Sequence, residues 1–333
     1  MRIAQNAGDT NTGRKRRLNE DDFVLEPPLF AVADGMGGAQ AGELASSLAA
    51  TALRENAGGR QGGEERVVEL IQEANRRVHD RATHDASASG MGTTMTVALF
   101  SADGWVTIGH VGDSRAYLLR DHELEQLTED HSLVAELVRR GELSPEEAET
   151  HPQRSVITRA LGTDPDVDVD AFQVQAQADD VFLICSDGLT TMVAPETIAD
   201  LVERNRDDLR AAARALIGAA NDRGGDDNIT AVLFQVADGD GAEATAELPA
   251  MDGVPDDEED TLHPEDGVAA IAPAEPAAAH GDTRVVSAAE IRAALGVDAP
   301  EPRASRGQLI LAWIVIVVLA VAAVLLVTRG LAR

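Results

Sequence analysis

The first 237 residues predict an α+β domain of layered sheets and helices. Apolar runs of strand length recur in clusters, helical stretches come between them in pairs, and the two do not alternate strictly as a doubly wound parallel sheet requires. The chain has 333 residues, 44 % of them apolar but only 3 % aromatic, so its core is built from Ala, Val, Leu and Ile.

In chain order, the first apolar strand is Leu29 to Ala33. Two helical stretches follow, Ala41 to Asn56 and Glu64 to Arg81. Three strands come next: Thr94 to Phe100, Trp105 to His110 and Ala116 to Leu119. The later elements are a helix over Ser132 to Arg140, a strand over Val181 to Cys185, a helix over Asp207 to Asn221 and a strand over Ile229 to Val236. Residues 238–307 change character. They hold 17 Asp and Glu against 4 Arg and are rich in Ala, Pro and Gly, a composition that cannot bury enough apolar surface to offset chain entropy. This predicts a disordered acidic linker spanning roughly 45 Å on average. One island, VVSAAEIRAAL, carries a capping-box pattern at Ser287 and Glu290 and reads as a short helix.

Leu309 to Val327 contains no charged residue. At 1.5 Å per residue it is about 28 Å long, close to the hydrocarbon core of a bilayer. Residues 308–328 are therefore expected to form a transmembrane helix, with 329–333 as a short tail. The N-terminus has no apolar signal segment, so the expectation is a single-pass protein of the cell membrane with its domain in the cytoplasm. The one cysteine, Cys185, allows no intrachain disulfide. A formal net charge of −30 argues against nucleic acid as a partner.

The domain places carboxylates beside apolar strands: Asp34-Gly35 after one, Asp187-Gly188 after another, Asp113 after a third, and Asp226 and Asp227 just before a fourth. Each alone is an ordinary turn signal. Gathered at one rim of a sheet they would repel, and a bound divalent cation is the natural compensation. Hard oxygen donors, with no Cys-x-x-Cys or paired histidines, select Mg²⁺ or Mn²⁺ over zinc. Near the N-terminus, Arg14, Lys15, Arg16 and Arg17 stand beside Asn19, Glu20 and Asp21. These charges either neutralise one another or make an anion site, since arginine's planar fork grips phosphate.

The ordered series GRKRRLNEDDF, VADGMGGAQAGELAS, GMGTTMTVALF, GHVGDSRAYLLRD, LTEDHSLVAELVRRGELSPEEAETHPQRSVITRALG, LICSDGLT and ANDRGGDDNIT resembles the bacterial protein phosphatase 2C family across nearly the whole domain. The resemblance implies an α/β/β/α sandwich of two antiparallel sheets flanked by helices. It also implies hydrolysis of phosphoserine and phosphothreonine in proteins by a water that two metal ions activate. By the same resemblance Arg16 binds the substrate phosphate, and Glu20 and Asp21 serve the second metal directly or through water. Asp34 bridges the two ions with the Gly35 carbonyl on one of them, Asp187 and Asp227 complete the first, and Asp113 holds a third, looser ion with Asp187. Gly141 to Gly162 is similar to the family's mobile flap, with Ser155 near substrate. Thr10-Asn11 stands where family members carry Ser-Asp, which touches a structural role rather than a metal ligand. The leaving group's proton would come from a metal-bound water or from His110. Cys185 sits in an apolar run without a Cys-x₅-Arg loop and reads as an inert thiol. The implied partners are phosphorylated proteins, among them a transmembrane Ser/Thr kinase. A phosphoprotein-binding scaffold and a membrane-anchored adaptor working through its linker are the competing readings.

Overall fold

The computed structural model describes residues 1–37, 41–56, 63–239 and 284–285. The chain divides after Ser287 into two units, and the first carries every described residue. The predicted Ser287 helix and the apolar run Leu309 to Val327 lie outside the described residues. Among the described residues no helix is long and apolar enough to cross a membrane.

The elements in order are β1 (Arg2–Asn11), β2 (Asp21–Glu26), β3 (Leu29–Met36), α1 (Ala41–Asn56), α2 (Glu64–His84), β4 (Gly92–Thr93), β5 (Met95–Phe100), β6 (Trp105–Val111), β7 (Arg115–Arg120), β8 (Glu123–Gln126), α3 (Leu133–Arg139), α4 (Pro145–Glu149), β9 (Val156–Ile157), β10 (Asp170–Gln175), β11 (Val181–Cys185), α5 (Asp187–Thr190), α6 (Pro195–Arg204), α7 (Leu209–Asp222), β12 (Ile229–Ala237) and β13 (Arg284–Val285). One antiparallel sheet runs β1-β12-β11-β7-β8 and the other β10-β6-β5-β3-β2, with β4 paired to the end of β3.

Three apolar layers hold these together. Between the sheets lie Phe30 of β3, Phe182 of β11 and Phe234 of β12, with Phe234 stacked on Phe30 at 4.3 Å and on Phe182 at 4.9 Å between ring centroids. The outer face of the second sheet is covered by α1, whose buried side is largely alanine (Ala45, Ala49 and Ala52), and by α2, which buries Val67, Leu70, Ile71, Ala74 and Val78. Small side chains let α1 approach the strands closely. Val67 and Ile71 of α2 fill the space over Gly109 of β6, where a Cβ would come within 2.2 Å of Val67. The outer face of the first sheet is covered by α6 and α7 through Ile198, Val202, Leu216 and Ala220. The predicted helix–sheet–sheet–helix order is therefore observed.

Local signals set the helix ends. Ser132 caps α3 by accepting from the Ala135 N–H, Ser144 and Glu147 form a reciprocal capping box at α4, and the Asp208 carboxylate accepts from the Arg210 and Ala211 N–H groups of α7. The structure departs from the sequence reading in several places. β1, β8, β10, α4 and α6 are additional; the side chains of β1 are mostly polar and half-buried, so no apolar run marks it. Asp34 lies inside β3 rather than after it. Residues 284–285 of the expected structureless linker form β13, parallel to β9; Val285 and Val286 are β-branched strand formers in a stretch otherwise rich in Ala, Pro and Gly.

Because Phe234 joins both sheets, Phe234→Ala is expected to lower stability by about 3–5 kcal/mol, whereas Leu18→Ala, at an exposed residue, should leave it within about 0.5 kcal/mol. Urea unfolding of the two variants beside the wild type measures both.

Candidate metal centre

The acidic residues converge where the sheets meet. Asp21, the first residue of β2, pairs in register with Asp34 of β3. Its Oδ2 accepts hydrogen bonds from Ser186 (2.8 Å), just after β11, and from Thr230 (2.6 Å) of β12, so a single carboxylate ties one sheet to the other. Asp187 opens α5, and Asp227 precedes β12. Asp113 follows β6.

Burial and mutual repulsion act together on this group. Desolvation, and then the charges of Asp187 and Asp227, outweigh the two hydroxyl donors and push the Asp21 carboxyl up to about 7. Asp34 is raised well above the usual carboxylate range by desolvation and by Asp21, Asp187, Asp227 and Asp113. Desolvation and Asp227 raise Asp187 to about 6, and desolvation and Asp187 raise Asp113. A charged rim of this kind is costly unless a cation offsets it.

Two glycines make the close approach possible. A Cβ on Gly35 would lie 2.2 Å from the Gly42 carbonyl oxygen, and one on Gly188 would lie 2.0 Å from that of Asn228. The Gly35 N–H donates to the Glu20 carbonyl (3.1 Å), and the Glu20 N–H donates to Asn228 Oδ1 (2.8 Å). Glu20 is thereby fixed beside β3, its carboxylate against Gly42.

These residues fit a divalent cation. All are hard oxygen donors, burial and then one another's charge raise the carboxyls of Asp21, Asp34, Asp113 and Asp187, and Asp21 Oδ1 is buried without a hydrogen-bond donor. Among the described residues no three of them already converge into a tight ligand cage. The protein supplies a rim of repelling oxygens that a cation would draw together.

The basic stretch is ion-paired: Arg14 to Asp222 (3.1 Å), Lys15 to Asp226 (2.6 Å) and Arg16 to Asp227 (2.8 Å). Arg16 thus stands at the rim, against a carboxylate of the cluster. Ser155 is half-buried one residue before β9 and makes no hydrogen bond to the cluster.

His110 is not placed to supply a proton. It is fully buried, its Nε2–H donates to the Glu129 carbonyl, its Nδ1 faces the Thr96 hydroxyl, and burial, then His131, lowers it to about 4. Cys185 is likewise buried, with its thiol pushed up to about 12 by desolvation. The Thr10-Asn11 departure has a structural explanation. Thr10 shares a hydrogen bond with Thr230, which in turn donates to Asp21, and Asn11 Oδ1 accepts from Gly13 and Asn221.

Sequence reasoning missed two polar residues that act on this group. Asn228 donates to the carbonyls of Thr12 and Leu18 while accepting from the Glu20 N–H, and Arg115, held on Asp130 by two hydrogen bonds, places a positive charge that acts on Asp113 and Asp187. Only the Asn directly after Asp227, a polar residue at the mouth of an apolar strand, offered a signal for the first. The Arg115–Asp130 pair joins positions with no local pattern.

The chain belongs to the protein phosphatase 2C family, whose model matches residues 14–233. It is 44 % identical over 237 residues to the serine/threonine phosphatase Stp of Listeria monocytogenes, covering 68 % of this chain and 93 % of that protein. It is 39 % identical over 240 residues to the serine/threonine protein phosphatase PstP of Mycobacterium tuberculosis, covering 72 % of this chain and 46 % of that one. A crystal structure of the Mycobacterium tuberculosis phosphatase superposes with a TM-score of 0.67 at 37 % identity, covering 71 % of this chain and all of the other. A structure of the PstP catalytic domain with two manganese ions gives a TM-score of 0.65 at 36 % identity, covering 71 % of this chain and 99 % of that one.

Raised carboxyl pKa values mean that the folded, metal-free protein holds protons that the unfolded chain releases near pH 4. Its stability therefore falls as pH rises toward about 7, and the protons compete with a cation for the same oxygens. The gain in Tm on adding Mn²⁺ is accordingly expected to be larger at pH 8 than at pH 5.5. Thermal unfolding with and without Mn²⁺ at both pH values measures this, and a gain independent of pH would contradict it.

Proposed function

We propose that this chain is a metal-dependent serine/threonine protein phosphatase that hydrolyses phosphoserine and phosphothreonine through the carboxylate rim. The observation that carries the reading is the set of mutually repelling, desolvated carboxyls at Asp21, Asp34, Asp113 and Asp187, with Arg16 held beside them by Asp227. Asp34, in the middle of that set, is assigned to both of two cations. Asp187 and Asp227 would hold one of them and Glu20 the other, with the Gly35 carbonyl on one of the two, and Asp113 with Asp187 would hold an outer third. Mn²⁺ or Mg²⁺ bound there supplies positive charge that lowers the pKa of a water and offsets the phosphoryl oxygens.

The chain's own groups do the remaining work. Arg16 presents a planar fork to two phosphate oxygens. Asp21, oriented by Ser186 and Thr230, holds a water or a proton at Oδ1. Ser155 and the segment Gly141 to Gly162 cover the bound phosphopeptide. The whole arrangement must supply on the order of 20 kcal/mol of transition-state stabilisation, a task on the scale of oriented charge rather than of a single side-chain nucleophile.

We further infer that the apolar run Leu309 to Val327 anchors the chain to the cell membrane, with the phosphatase domain on the cytoplasmic side. There it would act on phosphoproteins near the bilayer, a transmembrane Ser/Thr kinase among them. The length and apolarity of the run support this.

With Mn²⁺, the wild-type chain is expected to hydrolyse para-nitrophenyl phosphate and a phosphothreonine peptide, and Asp34→Asn to lose at least about 100-fold in kcat. Arg16→Ala should cost about 10- to 100-fold in kcat/KM, the value of a charge-assisted hydrogen bond. No turnover with any divalent metal by a folded chain would sink the phosphatase reading in favour of a phosphoprotein-binding scaffold. For the anchor, Leu319→Arg places a charge mid-span, which costs about 2.5–3.5 kcal/mol. The membrane fraction of expressing cells should lose this variant and keep the wild type.

A further inference from the structure

β9 lies in the flap and has neighbours on both sides. On its inner side Ile157 bridges Ser132, with the Thr158 N–H donating to the His131 carbonyl (2.8 Å). On its other side β13 runs parallel, Arg284 opposite Val156 and Val285 opposite Ile157. The strand seated on that edge therefore comes from the acidic segment that follows the phosphatase domain.

The edge it occupies is wired to the carboxylate rim from two directions. Ile157 is buried against Met36, the last residue of β3, just after Asp34-Gly35. Beyond β9, Leu161 exchanges two backbone hydrogen bonds with Thr93, whose hydroxyl donates to the Asp34 carbonyl (2.9 Å). On the other side His131 donates its N–H to the Gly112 carbonyl (2.7 Å) and accepts the Gly112 N–H at Nδ1 (3.0 Å), immediately before Asp113. Arg159, two residues after β9, is held with His131 on Asp170. A backbone lying along β9 thus lies on a strand clamped to the segments that carry Asp34 and Asp113.

An extended segment adding to a short strand edge is a standard mode of peptide recognition, because main-chain hydrogen bonds give affinity whatever the sequence.

We propose that the strand Arg284–Val285 is a strap in cis: it occupies the β9 edge on which the backbone of a phosphoprotein substrate would pair, and so lowers the affinity of the full chain for protein substrates while leaving small phosphate esters unaffected. The proposal rests on the phosphatase reading of the rim. It assigns the acidic segment a regulatory contact beyond tethering. It also gives the flap a specific peptide-binding edge.

Two measurements on the full chain test it. In the first, Val156→Cys is paired with Arg284→Cys, its register partner, and separately with Thr261→Cys, elsewhere in the same acidic segment; the native thiol, Cys185, is buried. Under mild oxidation the register pair should form its disulfide at least about 10-fold faster than the control pair, as proximity predicts. Equal rates would overturn the docking. In the second, Arg284→Pro with Val285→Pro removes the backbone donors of the strap. Because the strap occupies the edge in the full chain, KM for a phosphothreonine peptide should fall about 3- to 10-fold, with turnover of para-nitrophenyl phosphate unchanged. An unchanged or higher peptide KM would overturn the competition even if the disulfide forms. Absence of any para-nitrophenyl phosphate turnover by either chain would remove the phosphatase reading, and the competition with it, while the crosslinking rate still reports the docking alone.

Discussion

Asp21, Asp34 and Asp187 are packed together where two sheets join, and their repulsion in a poorly solvated place is the constraint on which the rest of the molecule depends. Each is raised by desolvation first and by its neighbours second. A fold that only needed to be stable would not gather them, since apolar residues there would cost less. The backbone is shaped to permit the gathering: Gly35 and Gly188 bring main chain within a distance that no Cβ allows, and Asn228 fixes the loop of Glu20 from across the sheets. What the fold stores as unfavourable charge, it can recover on binding a cation.

The sandwich serves this site by holding its two halves at a fixed separation. Asp21 and Asp34 come from the second sheet, and Asp187 and Asp227 border strands of the first. The stacked rings of Phe30, Phe234 and Phe182 set the spacing between them, and the Ser186 and Thr230 hydroxyls on Asp21 close the seam at the rim. Sheet packing and ligand placement are here one geometric requirement.

Much of this was legible in the sequence. The central strands are continuous apolar runs, such as Leu29 to Ala33 and Val181 to Cys185, and buried strands of that kind are visible without context. Asp34, Asp113, Asp187 and Asp227 were legible because a carboxylate bordering such a run is out of place. β1 was not, because half-buried polar residues such as Gln5 and Asn6 leave no period. Neither was the pairing of Arg16 with Asp227, nor that of Arg115 with Asp130, since both join distant positions that only the folded topology brings together. His110 invited a role in proton transfer by its position beside the Asp113 loop, and only the fold reveals that both its nitrogens are engaged. The strand at Arg284–Val285 was not legible either, because Val285 opens the island VVSAAEIRAAL, whose capping-box pattern reads as a helix.

The central claim is that the carboxylate rim is a two-cation site organised on Asp34. Anomalous diffraction at the manganese edge from crystals grown with Mn²⁺ tests it most directly. The account predicts two peaks about 3.5–4 Å apart, with the Asp34 carboxylate between them and Asp187 and Asp227 on one. A single peak elsewhere on the acidic surface, or none at the rim at saturating Mn²⁺, would contradict it.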